Sequence, residues 1–294
     1  MNGDNEKQSL EAFLHERYTA NTVRRYLMEI NAFLRETGRE KAVHANYGDM
    51  MSYVALLREK YDCPETIKCS LHAIRKYYKW LVHTGVRTDN PCMSIKLRDK
   101  SSRDIQLQDL FSPAELEGLL NLKRRGNASG VRNKIVTGLL IYQGLTMGEI
   151  PNISLDDINL EEGTIYIRPT GRTNGRTLKL KQNQVMLFYK YIHGVRPEHD
   201  RGQNDRFLLS KLGEPISITG LTRFAGSFKQ FFPGRDINAR IIRQSVIANL
   251  LKQGHDVRFV QVFAGHKYPG TTENYRQTGI EELKAGIDKY HPLR

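Results

Sequence analysis

Hydrophobic positions in the first hundred residues recur at the three- and four-residue spacing of amphipathic helices. Four segments show this pattern, and they span residues 10–18, 21–38, 49–61 and about 64–84. Glycines at positions 38 and 85 would end the second and the fourth segment. The pattern predicts four helices around one small core.

The pattern changes at residues 89–91, and a polar stretch of mixed charge runs to about residue 109. Ser112 and Pro113 then have the sequence of a helix start with a capping box, and a further helix is predicted near residues 131–143. Alternating residues at 164–168 and 177–181, separated by Asn174-Gly175, predict a β-hairpin. The fold class is therefore mainly α with a small β-hairpin sheet, in two domains, 1–94 and 111–294, joined by a linker at 95–110.

Charge narrows the range of partners. The 294 residues carry 45 Lys and Arg against 32 Asp and Glu, a net charge of +13. Such an excess points to a polyanion, either nucleic acid or an anionic membrane. The amphipathic helices have the pattern of core-forming helices, so nucleic acid is the preferred partner.

Other sequence features exclude several classes of protein. No apolar run is long enough to span a membrane, and the polar residues 1–8 do not resemble a secretory signal. The 3 cysteines show no CxxC spacing, which argues against a disulfide framework and a zinc site. We expect a cytoplasmic protein, associated with the nucleoid when bound to DNA.

The helix predicted from residue 64 carries a basic face. Its members recur at steps of four, three and four residues, and no acidic residue occurs between positions 66 and 87. They are Lys68, His72, Arg75 and Lys79. The face is either solvated surface or a binding surface for DNA phosphates, which position a protein without specifying sequence.

A second helix, from residue 240, places cations on an apolar arc. Arg243 projects into the middle of that arc, and Arg240 lies at its edge. A buried guanidinium needs an anionic partner. The partner is either an acidic side chain of the protein or a bound phosphate near the helix N-terminus.

A loop rich in Gly and Pro follows, with His266 and, nine residues later, Tyr275. Neither residue alone indicates a function. Together they do, because a phenol can attack a phosphodiester when cations surround the phosphate and depress the phenol pKa from about 10.

These residues carry a resemblance to the tyrosine recombinase/integrase family. Residues 20–26 (ANTVRRY) and 89–91 (DNP) resemble the start and end of the family's helical core-binding domain. Residues 144–150 (GLTMGEI) resemble its G-L-R-x-x-E-L motif, and residues 240–243 (RIIR) lie where the family has H-x-x-R. The most specific match is the G-H…Y spacing of His266 and Tyr275, with Arg243 23 residues before His266.

The resemblance implies a C-shaped clamp around double-stranded DNA at a specific recombination site. It implies a 3′-phosphotyrosyl intermediate that frees a 5′-hydroxyl, with no metal and no nucleotide cofactor. In this scheme residues 1–94 are the core-binding domain and residues 111–294 the catalytic domain. The apolar stripe of the C-terminal helix either covers the chain's own core or docks on a neighbouring protomer; it is formed by Ile280, Leu283, Ile287 and Tyr290. The resemblance implies the second, a homotetramer on DNA formed through this helix.

The resemblance assigns roles to individual residues. Tyr275 is the nucleophile, Arg243 and Arg240 stabilise the pentacoordinate phosphorane, and His266 hydrogen-bonds a phosphoryl oxygen or assists proton transfer. Beyond the basic face, the expected DNA-binding residues are Arg24, Arg25 and Arg176.

The chain departs from the family at three places. Thr146 occupies the position of the first phosphate-binding arginine, and Arg240 that of the usual histidine. The hairpin lacks the family's lysine general acid; Arg172 is the nearest equivalent, although arginine is a poor proton donor at neutral pH. We expect Glu149 to orient a neighbouring cation.

Three hypotheses follow from the departures. In the first, the chain is an active recombinase in which Arg240 replaces the charge lost at position 146, with Arg172 or Arg176 of the hairpin as the alternative source of that charge. In the second, it is an impaired relative that occupies recombination sites as an accessory or regulator. In the third, it is a basic helical protein that binds DNA for other reasons.

Overall fold

The computed structural model describes residues 9–99, 109–122, 128–202 and 204–275. The chain divides into two compact units, Met1–Arg103 and Asp104–Arg294. None of the described helices is long and apolar enough to cross a membrane.

The first unit is helical. Its helices are α1 (Leu10–His15), α2 (Ala20–Thr37), α3 (Arg39–His44), α4 (Tyr47–Lys60) and α5 (Pro64–His83). The periodicity predicted four of these and missed α3. The additional helix arises because Gly38 has a φ of +84°, which ends α2 and lets the chain turn directly into a new short helix.

Local sequence sets the helix starts of this unit. Asn46 and Asp49 form a reciprocal capping box at the start of α4, and Pro64 occupies the first turn of α5. The core lies between α2, α4 and α5, where the ring of Phe33 meets that of Tyr53 edge-on at 4.9 Å. The Tyr78 hydroxyl, buried in this core, donates to the Ala42 carbonyl at 2.8 Å.

The predicted linker begins on the first unit and ends on the second. Ile95 is buried in the first core, and the Asp99 carboxylate accepts from Arg58 at 2.9 Å. Leu110 belongs to the second unit, because its carbonyl accepts from Arg235 at 2.7 Å.

The second unit contains seven α-helices among its described residues. They are α6 (Pro113–Gly118), α7 (Ala128–Ile141), α8 (Gln182–Lys190), α9 (Ile218–Gly226), α10 (Ala239–Lys252), α11 (Val257–Ala264) and α12 (Pro269–Glu273). The capping box predicted at Ser112 is confirmed, with Glu115 as its reciprocal partner. The apolar stripe predicted for the C-terminal helix lies outside the described residues.

A small antiparallel sheet completes the second unit. Its strands, in the order β1-β2-β3, are β1 (Ile158–Asn159), β2 (Thr164–Ile167) and β3 (Arg176–Lys179). The predicted hairpin is β2–β3, with Ile167 opposite Arg176; the two-residue β1 was not predicted. Along β3 burial alternates, so Arg176 and Leu178 face inward while Thr177 and Lys179 face outward.

Candidate active site

Helix α10 carries a buried arginine towards the centre of the second unit. The Asn238 side chain caps the helix by accepting from the Ile241 amide at 3.0 Å. Arg243, one turn further on, is only 8% exposed. Its Nη2 donates to the Ala264 carbonyl at 2.6 Å, and its Nη1 donates to the Gly144 carbonyl. Burial lowers the pKa of Arg243, and the negative charge of Glu149 opposes that shift. The two carbonyls fix the guanidinium in place.

The loop after α11 brings the histidine beside the hairpin. Gly265 ends α11 in the left-handed conformation, with a φ of +70°. Its carbonyl accepts from the Asn174 amide at 2.8 Å, and His266 pairs with Thr173 in an isolated antiparallel bridge. The turn between β2 and β3 is therefore joined by backbone hydrogen bonds to the loop that carries His266.

His266 is held in one orientation and uncharged. Its Nδ1 lies 2.8 Å from the Thr272 hydroxyl, and the residue is 8% exposed. Burial, followed by the positive charges of Arg243 and Arg176, lowers the pKa of His266 to about 4. At neutral pH the imidazole is therefore neutral and can accept a proton or donate one hydrogen bond.

Tyr275 lies next to this imidazole. The two rings are nearly parallel, with centroids 6.2 Å apart and an interplanar angle of 16°. Burial raises the pKa of Tyr275, while Arg243, Arg240 and a hydrogen bond with the Gln244 side chain act in the opposite direction. The sequence led us to expect cations to depress this pKa. Burial outweighs the cations, so the net direction is opposite to that expectation.

Glu149 links the motif at 144–150 to the hairpin. Its Oε2 accepts from the amide of Thr146 at 2.8 Å and from its hydroxyl at 2.9 Å. Its Oε1 accepts from Arg176 Nη1 at 2.7 Å. Burial acts to raise the pKa of Glu149, but Arg176 and the Thr146 amide hold that pKa below its usual value. The carboxylate is thus ionised and orients a cation, as the sequence led us to expect.

Arg176 differs most from its predicted place. We expected a DNA-contacting residue on the hairpin; Arg176 is 5% exposed, and its contact with DNA stays a prediction. Its Nε donates to the Phe263 carbonyl at 2.7 Å, so it connects β3 with the end of α11 as well as with Glu149. The signal was present in the sequence: position 176 is in phase with Leu178, which faces the core.

The two other predicted cations of this unit lie on the surface. Arg240 is exposed, yet its charge acts on the pKa of Tyr275. Arg172 is exposed in the turn between β2 and β3, where its amide donates to the Thr170 hydroxyl at 3.1 Å. Their predicted catalytic roles stay predictions.

The predicted DNA-binding residues of the first unit fall into two groups. Four are exposed, and they are Arg24, Arg25, His72 and Lys79. Lys68 donates to Glu65 at 3.1 Å and to the Asp99 carbonyl at 3.0 Å. Arg75 donates to the carbonyls of Cys92, at 3.0 Å, and Ile95. Lys68 and Arg75 therefore bind their own chain.

No group of three or more His, Cys, Asp or Glu side chains that could hold a metal ion occurs within the described ranges. The chemistry that this site offers is that of a phenol, a neutral imidazole and buried guanidinium groups. Such a set suits nucleophilic attack on a phosphodiester, in which fixed cations stabilise the added negative charge.

Comparison with known families gives matches in both units. Residues 110–281 match the phage integrase family. Residues 10–85 match the phage integrase N-terminal SAM-like domain.

Curated relatives span almost the whole chain. The chain is 24% identical over 296 residues to the tyrosine recombinase XerD of Listeria monocytogenes, covering 96% of this chain and 98% of the relative. It is 27% identical over 253 residues to XerD of Oceanobacillus iheyensis, covering 83% of this chain and 82% of the relative.

Solved structures share the fold. The XerH site-specific recombinase bound to palindromic difH substrate, in a post-cleavage complex, matches with a TM-score of 0.69 and 16% identity, covering 96% of this chain and 94% of that one. The Tn1549 transposon integrase in complex with transposon right end DNA matches with a TM-score of 0.65 and 14% identity, covering 96% and 99%.

Proposed function

The chain belongs to the phage integrase family and is a tyrosine-type site-specific DNA recombinase, and we propose that Tyr275 is its nucleophile on double-stranded DNA. The observation that carries this assignment is the parallel pair of the His266 and Tyr275 rings beside the buried Arg243. A phenol, an imidazole and a fixed cation meet there, as phosphoryl transfer to tyrosine requires.

In the first step the Tyr275 oxygen attacks the scissile phosphorus and the phenol releases its proton. A bond forms between the tyrosine oxygen and phosphorus, and the bond from phosphorus to the 5′ oxygen breaks. The 5′ oxygen takes up a proton and becomes a free 5′-hydroxyl, while the 3′ phosphate stays attached to the enzyme. Rejoining is the reverse reaction with a 5′-hydroxyl from another strand.

Cations stabilise the transition state, because the phosphorane carries more negative charge than the phosphodiester. Arg243 stabilises the phosphorane from the buried side of the site, where the Ala264 and Gly144 carbonyls hold its guanidinium. Arg240 serves from the exposed side. Arg172, in the turn, takes the position nearest to that of the family's lysine.

His266 acts as a neutral imidazole. Its Nδ1 is engaged with Thr272, so Nε2 is the ring atom that serves the reaction, either by hydrogen-bonding a phosphoryl oxygen or by taking the phenol proton. The raised pKa of Tyr275 means that the phenol is protonated before it attacks, so its proton is removed as the bond to phosphorus forms.

The partner is duplex DNA with a specific recombination site. Two structural relatives carry DNA, the difH substrate of XerH and the right end DNA of the Tn1549 integrase. The net charge of +13 supports binding to a phosphate backbone. We propose residues 1–94 as the core-binding domain, 111–294 as the catalytic domain, and a homotetramer on DNA formed through the C-terminal residues.

The impaired alternative, a relative that binds recombination sites and cuts nothing, gains no support from the comparisons. An architectural protein has no use for a tyrosine stacked on a buried neutral histidine. The remaining question is how the site functions with Thr146 in place of an arginine.

Covalent attachment tests the proposal. Genomic DNA of the source organism is sheared and incubated with the protein in EDTA, and fragments that stay attached to it in SDS are sequenced. A nicked duplex built on that sequence then traps the intermediate. We expect an adduct with the wild type and none with Tyr275→Phe, which should bind the duplex as tightly. Absence of any adduct with the wild type would leave DNA binding as the function.

A further inference from the structure

We infer that Arg176 supplies the phosphate-binding charge that is missing at position 146, and that Glu149 holds it in place. In this arrangement Arg176 Nη2 donates to a nonbridging oxygen of the scissile phosphate. The inference rests on the proposed function and assigns a further catalytic residue to the same site.

The first support is a shared carboxylate. One oxygen of Glu149 binds Thr146, and the other binds Arg176 at 2.7 Å. Both side chains of the Arg176–Glu149 pair are buried, at 2% and 0% exposure. A guanidinium from β3 therefore lies against the same acidic residue as the side chain of position 146. A cation lost from residue 146 is replaced there by one from the hairpin.

The second support is a donor without an acceptor. Arg176 Nε donates to Phe263 and Nη1 to Glu149, whereas Nη2 is buried and has no hydrogen-bond partner among the described residues. Leaving a buried donor unpaired costs about 1–3 kcal/mol, more for a charged group. A fold that fixes two nitrogens of a guanidinium and leaves the third unsatisfied is suited to an incoming anion.

The third support is the position of Arg176 within the site. Its positive charge acts on both Arg243 and His266, lowering the pKa of each. Gly265 lets the guanidinium come this close, because a Cβ at that position would lie 2.5 Å from Arg176 Nη1. Arg176 thus lies close to Arg243 and His266, the two residues that adjoin Tyr275.

This assignment revises the hypothesis drawn from the sequence, in which Arg240 replaced the missing charge. Arg240 and Arg172 are both exposed. Arg176 is buried and paired with the glutamate of the 144–150 motif. Arg240 keeps its own role at the position where the family usually has histidine.

The decisive experiment compares two substrates. Single-turnover adduct formation is measured in EDTA on the nicked duplex and on the same duplex with a methylphosphonate at the scissile position. The methylphosphonate replaces the charged nonbridging oxygen by a neutral methyl group, so it has no need of a cation there. Arg176→Ala should be about 10²–10³-fold slower than the wild type on phosphate and within a few-fold of it on methylphosphonate. A slowing that is equal on both substrates would overturn the inference.

A rescue experiment separates charge from packing. In Thr146→Arg/Arg176→Ala the new arginine lies three residues before Glu149 and can use the vacated volume. We expect it to recover at least 10-fold of the lost rate on phosphate, while Thr146→Arg should give no such gain in Arg240→Ala. Rescue of Arg240→Ala with none of Arg176→Ala would assign the missing charge to Arg240.

DNA binding and circular dichroism are measured to check that each variant is folded. If Arg176→Ala loses either, Arg176→Gln, which retains an amide donor, is measured on the same two substrates with the same criterion. If the wild type forms no adduct, the proposed function itself is contradicted. If the wild type forms the adduct and the variants are equally slow on both substrates, only the role of Arg176 is contradicted.

Discussion

The Nδ1 atom of His266 lies 2.8 Å from the hydroxyl of Thr272, a side chain with no solvent exposure. This contact engages one ring nitrogen of His266, whose ring lies nearly parallel to that of Tyr275. Thr272 belongs to α12, the short helix between the histidine and the tyrosine. The nine-residue spacing between His266 and Tyr275 therefore contains α12, and a side chain of that helix contacts the histidine.

Thr272→Val removes this hydroxyl and keeps the shape of the side chain. We expect a loss of about 1–3 kcal/mol in the free energy of unfolding, because a buried ring nitrogen loses its partner. The rate of adduct formation should fall about 10-fold as the imidazole loses its fixed orientation. Thr272→Ser, which keeps the hydroxyl, is the control and should stay near the wild-type rate. Equal rates in Thr272→Val and the wild type would show that the contact does not orient the ring.

The low pKa of His266 predicts acid sensitivity. The folded pKa is about 4, below the ordinary value of 6.5. Between these pH values the unfolded chain binds a proton at this histidine and the folded protein does not, so stability falls as the pH is lowered through that window. From pH 7 to pH 5 the contribution is at most about 2 kcal/mol.

Urea unfolding at the two pH values checks this prediction. His266→Gln should lose less stability on acidification than the wild type, by up to that amount. His255→Gln, at an exposed position of the same unit, should behave like the wild type. An NMR titration in which the His266 ring protons change near pH 6.5 would contradict the prediction.

The sequence predicted those elements whose signal is local. Periodicity located α2 and α5, alternation located β2 and β3, and the capping box at Ser112 appears where it was expected. Helix α3 escaped because its six residues are too few to show a period. Its start depends on the positive φ of Gly38.

The site was predictable in its residue types and not in its pairings. The spacing indicated Tyr275, His266 and Arg243 as candidates, and the structure brings them together. The role of Arg176 depends on acceptors that are 27 residues away, in Glu149, and 87 residues away, in Phe263. Such contacts are made by tertiary structure. The alternation of β3 indicated that Arg176 faces inward, but it could not identify the carboxylate that it meets.

Gly265→Ala tests the close approach at the end of α11. The added Cβ would lie 2.5 Å from Arg176 Nη1 and 2.9 Å from the Asn174 carbonyl oxygen. It would also impose left-handed backbone strain of about 1–2 kcal/mol. We expect crowding to add about 1–3 kcal/mol of destabilisation and adduct formation to fall at least 10-fold as Arg176 is displaced.

Gly254→Ala is the matched control for that variant. Gly254 has a φ of +82°, and a Cβ there would meet nothing within 4 Å. It should therefore show the strain alone, with adduct formation close to the wild-type rate. If thermal unfolding shows that the two variants lose equal stability, the crowding around Arg176 does not destabilise the protein.

The last prediction separates DNA contact from structural support in the first unit. Arg24, Arg25 and Lys79 are exposed, whereas Arg75 donates to the carbonyls of Cys92 and Ile95. The exposed cations are free to replace counterions on DNA, and each phosphate contact contributes about 0.9 to the slope of log affinity against log salt. Replacing the three exposed cations with Gln should reduce that slope by up to about 3. Arg75→Gln should leave the slope unchanged, and it should lower the free energy of unfolding by about 1–3 kcal/mol, because two carbonyls lose a charged donor.

Two measurements distinguish these effects. Fluorescence anisotropy of a labelled duplex over a salt series gives the slope. The fluorescence of Trp80, the single tryptophan of the chain, follows unfolding of the first unit. A triple variant with the wild-type slope would show that Arg24, Arg25 and Lys79 lie on a solvated surface that does not contact DNA. If Arg75→Gln has a reduced slope and wild-type stability, Arg75 contacts DNA. Its guanidinium would then leave the Cys92 and Ile95 carbonyls to bind a phosphate.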